Sequence, residues 1–210
     1  MTRAPTSYER VGTNLEFDRV AFFSDAVYAI AMTLLVVGIG VPDNLDEGLR
    51  EKRAEIISFF ISFVVLGNYW LAHHRFVAEL KRIDTRFMKM NLVYLAAIAF
   101  IPFPTALVGA FEEATIAVVM YAVALGAASF MEAAMFLYAA RTDALRRRLS
   151  PVAVRFGLIA SLLPVLVFAI SIPIAFWNTS AALLSWLLVF PAEIVASRYF
   201  APPETDDLFG

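Results

Sequence analysis

The chain has 210 residues, 60% of them apolar, and a mean hydropathy of +0.72. A soluble domain carries about 45–50% apolar residues, so this composition indicates an integral membrane protein. The absence of cysteine excludes disulfides, thiol chemistry, iron–sulfur clusters and cysteine–zinc sites, and a net charge of −2 with the basic residues confined to short loops excludes nucleic acid as a partner.

Residues 1–18 hold Arg3, Glu9, Arg10, Glu16 and Asp18. They lack the apolar core of about 7–15 residues that a cleavable signal needs, so they read as a cytoplasmic N-terminal segment before a retained first span. Apolar runs then recur at about 19–41, 56–78, 90–111, 115–140, 152–175 and 180–197. They predict an all-α membrane protein with six transmembrane helices, each near the ~20 residues that a ~30 Å hydrocarbon core requires. No run alternates apolar and polar residues as barrel strands do. The connection at 42–55, PDNLDEGLREKRAE, is short and mixed in charge, while 112–114 and 176–180 read as tight turns. The expected organisation is therefore a six-helix domain over 19–198 and an acidic, Pro-containing cytoplasmic tail over 199–210.

Orientation follows from lysine and arginine. With the N-terminus inside, the inner segments hold Arg3, Arg10, Arg19, Arg75, Lys81, Arg82, Arg86, Lys89, Arg141, Arg146, Arg147, Arg148, Arg155 and Arg198. The outer segments hold Arg50, Lys52 and Arg53, and this bias of 14 to 3 predicts an N-in, C-in topology.

In the first span, RVAFFSDAVYAIAMTLLVVGIGVP, a polar Ser24-Asp25 pair lies one to two turns in from the cytoplasmic end. A carboxylate at membrane depth costs roughly 2.5–3.5 kcal/mol on insertion scales, so it needs partners and marks a functional site. The second span runs the other way and brings Trp70, His73 and His74 to the same depth, and the third carries Asn91 in its first turn. These groups can satisfy one another, as groups in lipid must. Two roles are open: a structural one, in which Ser24 and Asp25 are pinned to Trp70, His73 and Asn91, and a chemical one, in which Asp25 and His73 form a proton relay. No nucleophile or metal set accompanies them, so the chain is not read as an enzyme. His73 and His74 point ~100° apart and cannot chelate one ion, and His73, three residues from Trp70, is expected to face the bundle.

Further along the first helix, Ile30, Thr33, Leu34 and Val37 share one face at i, i+3, i+4, i+7. Within a single chain this spacing reads as ordinary packing against neighbouring helices. Ala26, Ala29 and Ala31 around it would permit close helix approach. Glu112 and Glu113 read as an exposed acidic turn, with a cation-attracting mouth as the other reading. Glu132, in the inner half of the fourth span, is open between an inter-helix hydrogen bond and a lipid-edge position.

The pattern Arg19-x-x-x-Phe23-Ser24-Asp25 resembles the R-x-x-x-F-S-D signature of endolysosomal-type potassium channels, the transmembrane protein 175 family, in its single-repeat prokaryotic form. Trp70-x-x-His73 and Asn91 followed by Ile101-Pro102-Phe103 extend the resemblance over residues 19–111 at least; the last three spans match in number alone. The resemblance implies a homotetramer in the plasma membrane that conducts monovalent cations, potassium over sodium, without a T-V-G-Y-G filter or any cofactor or structural metal. It also implies a pore lined by the first helices, with Ile30 as the hydrophobic constriction, Thr33 contributing to selectivity, and Leu34 and Val37 as wider apolar layers. An uncharged ring of Ile30 forces an ion to keep most of its water or meet a dewetting barrier, with potassium passing transiently near Ile30 and Thr33. The alternative is a proton-coupled or other secondary transporter using Asp25 and His73. Pro102, Pro104, Pro164 and Pro173 do not form the matched pairs that two transporter halves would place.

Overall fold

The computed structural model describes residues 7–42, 48, 50–111, 113–200 and 202, with the backbone alone for residues 7–16, 193, 197 and 200. Arg3, residues 43–47, Glu112 and the tail from 203 to 210 lie outside the described residues. The described elements are α1 (Ser7–Val37), α2 (Arg53–Ala78), α3 (Thr85–Phe100), α4 (Pro102–Ala110), α5 (Thr115–Arg141), α6 (Pro151–Ala175), α7 (Thr179–Ser185), a 3₁₀ turn at Trp186–Leu188 and α8 (Val189–Phe200).

Six stretches are long and apolar enough to cross a membrane: Phe17–Val37, Arg53–Ala78, Thr85–Ala110, Thr115–Arg141, Pro151–Ala175 and Thr179–Ala196. They coincide with the six apolar runs. Two are composite. The third divides at Ile101, ahead of Pro102, whose ring removes a backbone donor and opens a new first turn, and the sixth passes through the 3₁₀ turn. Helix α1 begins at Ser7, well before its apolar part, within the stretch read as an N-terminal segment.

Local chemistry sets several helix starts. Asp84 caps α3 by accepting from the Phe87 N–H at 2.8 Å, Ser150 caps α6 by accepting from Ala153 at 3.2 Å, with Pro151 in the first turn, and Asn178 caps α7 by accepting from Ala181 at 2.8 Å.

Helix α5 is the centre of the helix bundle. Half of its apolar stretch is buried, against 22% for α1 and 6% for the last span. Its buried face is made largely of Ala117, Ala124, Ala128, Ser129 and Ala139, small residues that let α3 and α6 lie close along it. Helix α2 crosses α4, and α1 lies against α2 and α3. Glycine permits two close approaches to α4: a Cβ on Gly38, just past the end of α1, would stand 2.9 Å from the Ala106 Cβ, and one on Gly109 would stand 2.8 Å from the Glu55 Cα of α2.

Polar groups at membrane depth pair internally. Thr105 donates to Ser62 at 3.1 Å, Ser62 and Tyr121 share a 2.6 Å bond, and Tyr69 and Ser129 share one of 2.5 Å. These bonds link α2, α4 and α5 within the chain.

At the basic end the α2–α3 and α5–α6 connections clasp each other. The Lys81 N–H donates to the Ala144 carbonyl at 2.8 Å and the Arg146 N–H to the Glu79 carbonyl at 2.8 Å, forming an antiparallel bridge between Leu80 and Leu145. Lys81 Nζ donates to Asp143 at 2.9 Å, and the Tyr138 hydroxyl donates to Asp84 at 2.6 Å.

Candidate functional site

Helix α1 has two faces. Ser24, Tyr28, Ala31 and Leu35, at i, i+4, i+7, i+11, are 1–3% exposed and form its contact with α2 and α3. Roughly opposite, at ~100° per residue, Ile30 is 58% exposed, Leu34 45% and Val37 73%, and Thr33 is exposed as well. The stripe of Ile30, Thr33, Leu34 and Val37 is therefore not buried within the chain, which corrects the reading of its spacing as packing against neighbouring helices. That reading failed because both faces of a membrane helix can be apolar, and here the one with the hydroxyls Ser24 and Tyr28 turned inward.

The exposed face is longer than the four residues suggest. Arg19, Phe23, Ala26, Ile30, Thr33 and Val37 are all exposed, and they alternate in steps of four and three. That is a 3.5-residue repeat.

The polar cluster braces the other side. The Trp70 indole N–H donates to Asp25 Oδ1 at 2.8 Å, tying α1 to α2. The Asn91 amide donates to Ser24 Oγ at 3.0 Å, tying α1 to α3, while the Ser24 hydroxyl donates to the Val20 carbonyl at 3.0 Å. Behind them the hydroxyls of Tyr28 and Tyr94 are hydrogen-bonded. These two tyrosines were not singled out in the sequence; Tyr28 stands four residues after Ser24, a spacing that would have put it on the same face.

His73 faces the bundle as expected but does not bond Asp25, and Arg19 and Phe23 stand apart from the brace. His73 is 2% exposed, yet neither ring nitrogen has a hydrogen-bond partner among the described residues. Its ring stacks on Tyr94 with centroids 4.8 Å apart and lies 6.0 Å from Tyr28. It is His74 that approaches the carboxylate, with Nδ1 3.9 Å from Asp25 Oδ1 and its ring 5.5 Å from that of Trp70. The reason is helical phase: His74 is four residues from Trp70 and shares its side, whereas His73 turns into the α1–α3 core. The hydrogen-bonded Asp25–His73 pair is thus replaced by an Asp25–Trp70 pair with His74 beside it. Arg19 is exposed and makes no side-chain hydrogen bond with the described residues, and Phe23 is 51% exposed, so within the chain neither belongs to the brace.

Among the described residues no group of three histidines, aspartates or glutamates could hold a metal ion. Glu113 is exposed, in the turn between α4 and α5. Glu132, on α5, lines a lateral cleft together with Arg75.

The family model described as the endosomal/lysosomal potassium channel TMEM175 matches residues 19–102, the segment that holds both faces of α1 and the brace. A protein of Chamaesiphon minutus described as a potassium channel is 33% identical over 140 residues, covering 62% of this chain and 69% of that protein. The chain belongs to the TMEM175 family. A second member, described as a potassium channel of Streptomyces collinus, is 31% identical over 136 residues, covering 60% of this chain and 66% of that protein. The fold agrees beyond the matched segment. The crystal structure of a lysosomal potassium-selective channel TMEM175 homolog from Chamaesiphon minutus superposes with a TM-score of 0.74 at 25% identity, covering 86% of this chain and 98% of that one. These TMEM175 relatives are described as channels and not as enzymes.

Proposed function

We propose that the chain is one subunit of a homotetrameric potassium channel in a bacterial plasma membrane, N-in and C-in, with α1 lining a central pore. The observation that carries this reading is the seam on α1: a heptad-spaced face, Arg19 to Val37, left uncovered by its own subunit while the opposite face is tied down through Trp70 and Asn91. A helix braced on one side and repeating on the other fits self-association around an axis. The names of the bacterial relatives support potassium as the permeant ion.

In this reading four copies of Ile30 form the constriction. They offer neither charge nor carbonyl ligands, so passage depends on how readily an ion thins its hydration shell, and potassium does so more easily than sodium. One turn on, the Thr33 hydroxyl donates to the Ile30 carbonyl at 2.8 Å. Its proton is thus engaged along the helix, and the oxygen lone pairs remain available to a cation at the axis. Leu34 and Val37 continue as apolar layers.

The test is Ile30→Asn in reconstituted bilayers. A polar ring lowers the dewetting barrier for every cation, so the sodium-to-potassium permeability ratio rises towards one while total conductance increases. An unchanged ratio with an unchanged conductance removes Ile30 from the ion path.

A further inference from the structure

Helix α2 is packed on one side by α1 and α4. On another side a cleft of about 790 Å³ separates it from α6, α7 and α8, with Tyr121, Leu125, Ser129 and Glu132 of α5 as its floor. The lining runs from Arg53 to Arg75, about 33 Å of helix at ~1.5 Å per residue, which is the full thickness of a hydrocarbon core. A volume of this size takes a molecule of several hundred daltons.

The two halves of the cleft differ. Towards Arg75 the lining is polar, with Asn68, Tyr69, Ser129 and Glu132. There the arginine and the glutamate offset each other in charge. Towards the other end it is mainly apolar, with Ile57, Ile61, Phe168 and Leu184, and it closes on Arg50 and Arg53. Among the described residues lining that end there is no carboxylate; Glu55, nearby in sequence, is paired with Lys52 at 2.7 Å. Ile57, Ile61 and Leu184 remain 45%, 52% and 64% exposed. The result is an apolar trough half a bilayer long under two guanidinium groups.

We propose that this half of the cleft seats an acyl chain of an anionic phospholipid, whose phosphate is held between Arg50 and Arg53. Guanidinium groups bind phosphate oxygens through paired N–H donors, and a zwitterionic headgroup brings an ammonium that competes for the same phosphate. The site is specified by charge at one end and by chain shape along its length, and it does not depend on ion conduction.

The chain has no cysteine, so single reporters are clean. Ser58, on the cleft lining about one turn below Arg53, and Leu166, which is 60% exposed on α6 and is not on that lining, are each replaced (Ser58→Cys, Leu166→Cys) and labelled with one fluorophore. The full chain is then reconstituted in vesicles containing dibrominated phosphatidylglycerol or dibrominated phosphatidylcholine. The Ser58→Cys reporter is half-quenched at a mole fraction of phosphatidylglycerol about thirtyfold below that of phosphatidylcholine, a scale set by two arginines at an anionic headgroup, while the Leu166→Cys reporter responds equally to both lipids. Arg50→Gln with Arg53→Gln abolishes the difference at Ser58→Cys and leaves the Leu166→Cys reporter unchanged, which shows that the variant is folded. Equal quenching by both lipids at Ser58→Cys overturns the proposal in favour of bulk lipid, and no quenching overturns it in favour of a second copy of the chain filling the cleft. A preference that survives the double arginine variant also overturns it.

Discussion

The Trp70 indole N–H and the Asp25 carboxylate meet at 2.8 Å, and this bond, rather than one from a histidine, joins the second helix to the first. Tryptophan is a donor at every pH, so the link carries no titration on its Trp70 side. With Asn91 bonded to Ser24 at 3.0 Å on the third helix, α1 is held at two adjacent positions by two different neighbours. Two such anchors fix the rotation of a helix, and the rotation decides which residues lie on the uncovered seam.

Loss of the Trp70 donor therefore costs stability and register together. A hydrogen bond to a charged group contributes about 1.5–3 kcal/mol. The Asp25 side chain is 39% exposed, so screening brings the expected cost of Trp70→Phe to about 1 kcal/mol. Asp25→Ala removes the acceptor and leaves the indole N–H unpaired at membrane depth, so it lowers the thermal midpoint at least as far and reduces the yield of the proposed tetramer on size-exclusion chromatography. Wild-type yield and midpoint in both variants would show that the bond does not hold the helix.

His73 responds to shape and not to lost hydrogen bonds. Its nitrogens have no partner among the described residues and its ring lies against Tyr94. A replacement of similar volume, His73→Leu, therefore changes unfolding free energy by less than about 1.5 kcal/mol, and its ion flux stays close to wild type. His73→Ala opens a cavity and costs about 2–4 kcal/mol. A proton relay through His73 predicts instead that the Leu and Ala variants are equally inactive in flux.

The six spans were legible because hydropathy and length alone decide whether a helix crosses a membrane. Ser24, Asp25, Trp70 and Asn91 were legible because a polar side chain at that depth must find another. That His73 faces the bundle was legible from its spacing to Trp70; which histidine lies beside Asp25 was not, since it turns on one residue of helical phase. The packing face of α1 was hidden for a related reason: beyond Tyr28, Ala31 and Leu35 differ little in polarity from Ile30, Leu34 and Val37, and lipid supplies no contrast that would sort them. The bridge between Leu80 and Leu145 joins two connections that nothing in local sequence pairs.

That bridge carries an acid dependence. Asp84, outside the spans, has its carboxyl held below the usual range first by the Tyr138 hydroxyl and then by the Phe87 N–H; Asp143 is held down chiefly by the Lys81 ammonium. A depressed folded value adds stability that is fully present above the unfolded value of about 3.9 and is lost as pH falls through the folded value. Hydrogen exchange at the Lys81 and Arg146 amides, which close the bridge, is therefore expected to show protection that is flat from about pH 8 to 5 and falls away below about pH 4. Asp84→Asn combined with Asp143→Asn removes the acid limb. Protection already lost between about pH 6 and 5 would assign the effect to a histidine instead.

Thr33 gives the sharpest separation between a pore-facing and a lipid-facing seam. Its hydroxyl is bonded to the Ile30 carbonyl at 2.8 Å inside the same helix, so Thr33→Ala loses only a bond that the backbone tolerates without, and folding is little affected. In a pore the same change removes a ring of oxygens that partly replaces water around potassium. One hydrogen-bond-sized contribution of about 0.5–1.5 kcal/mol corresponds to a drop of about two- to tenfold in the potassium-to-sodium permeability ratio, read from reversal potentials under bi-ionic conditions. Thr33→Ser keeps the oxygen and keeps the ratio. If Thr33 instead faces lipid, alanine and serine behave alike, because neither the hydroxyl nor its loss meets an ion.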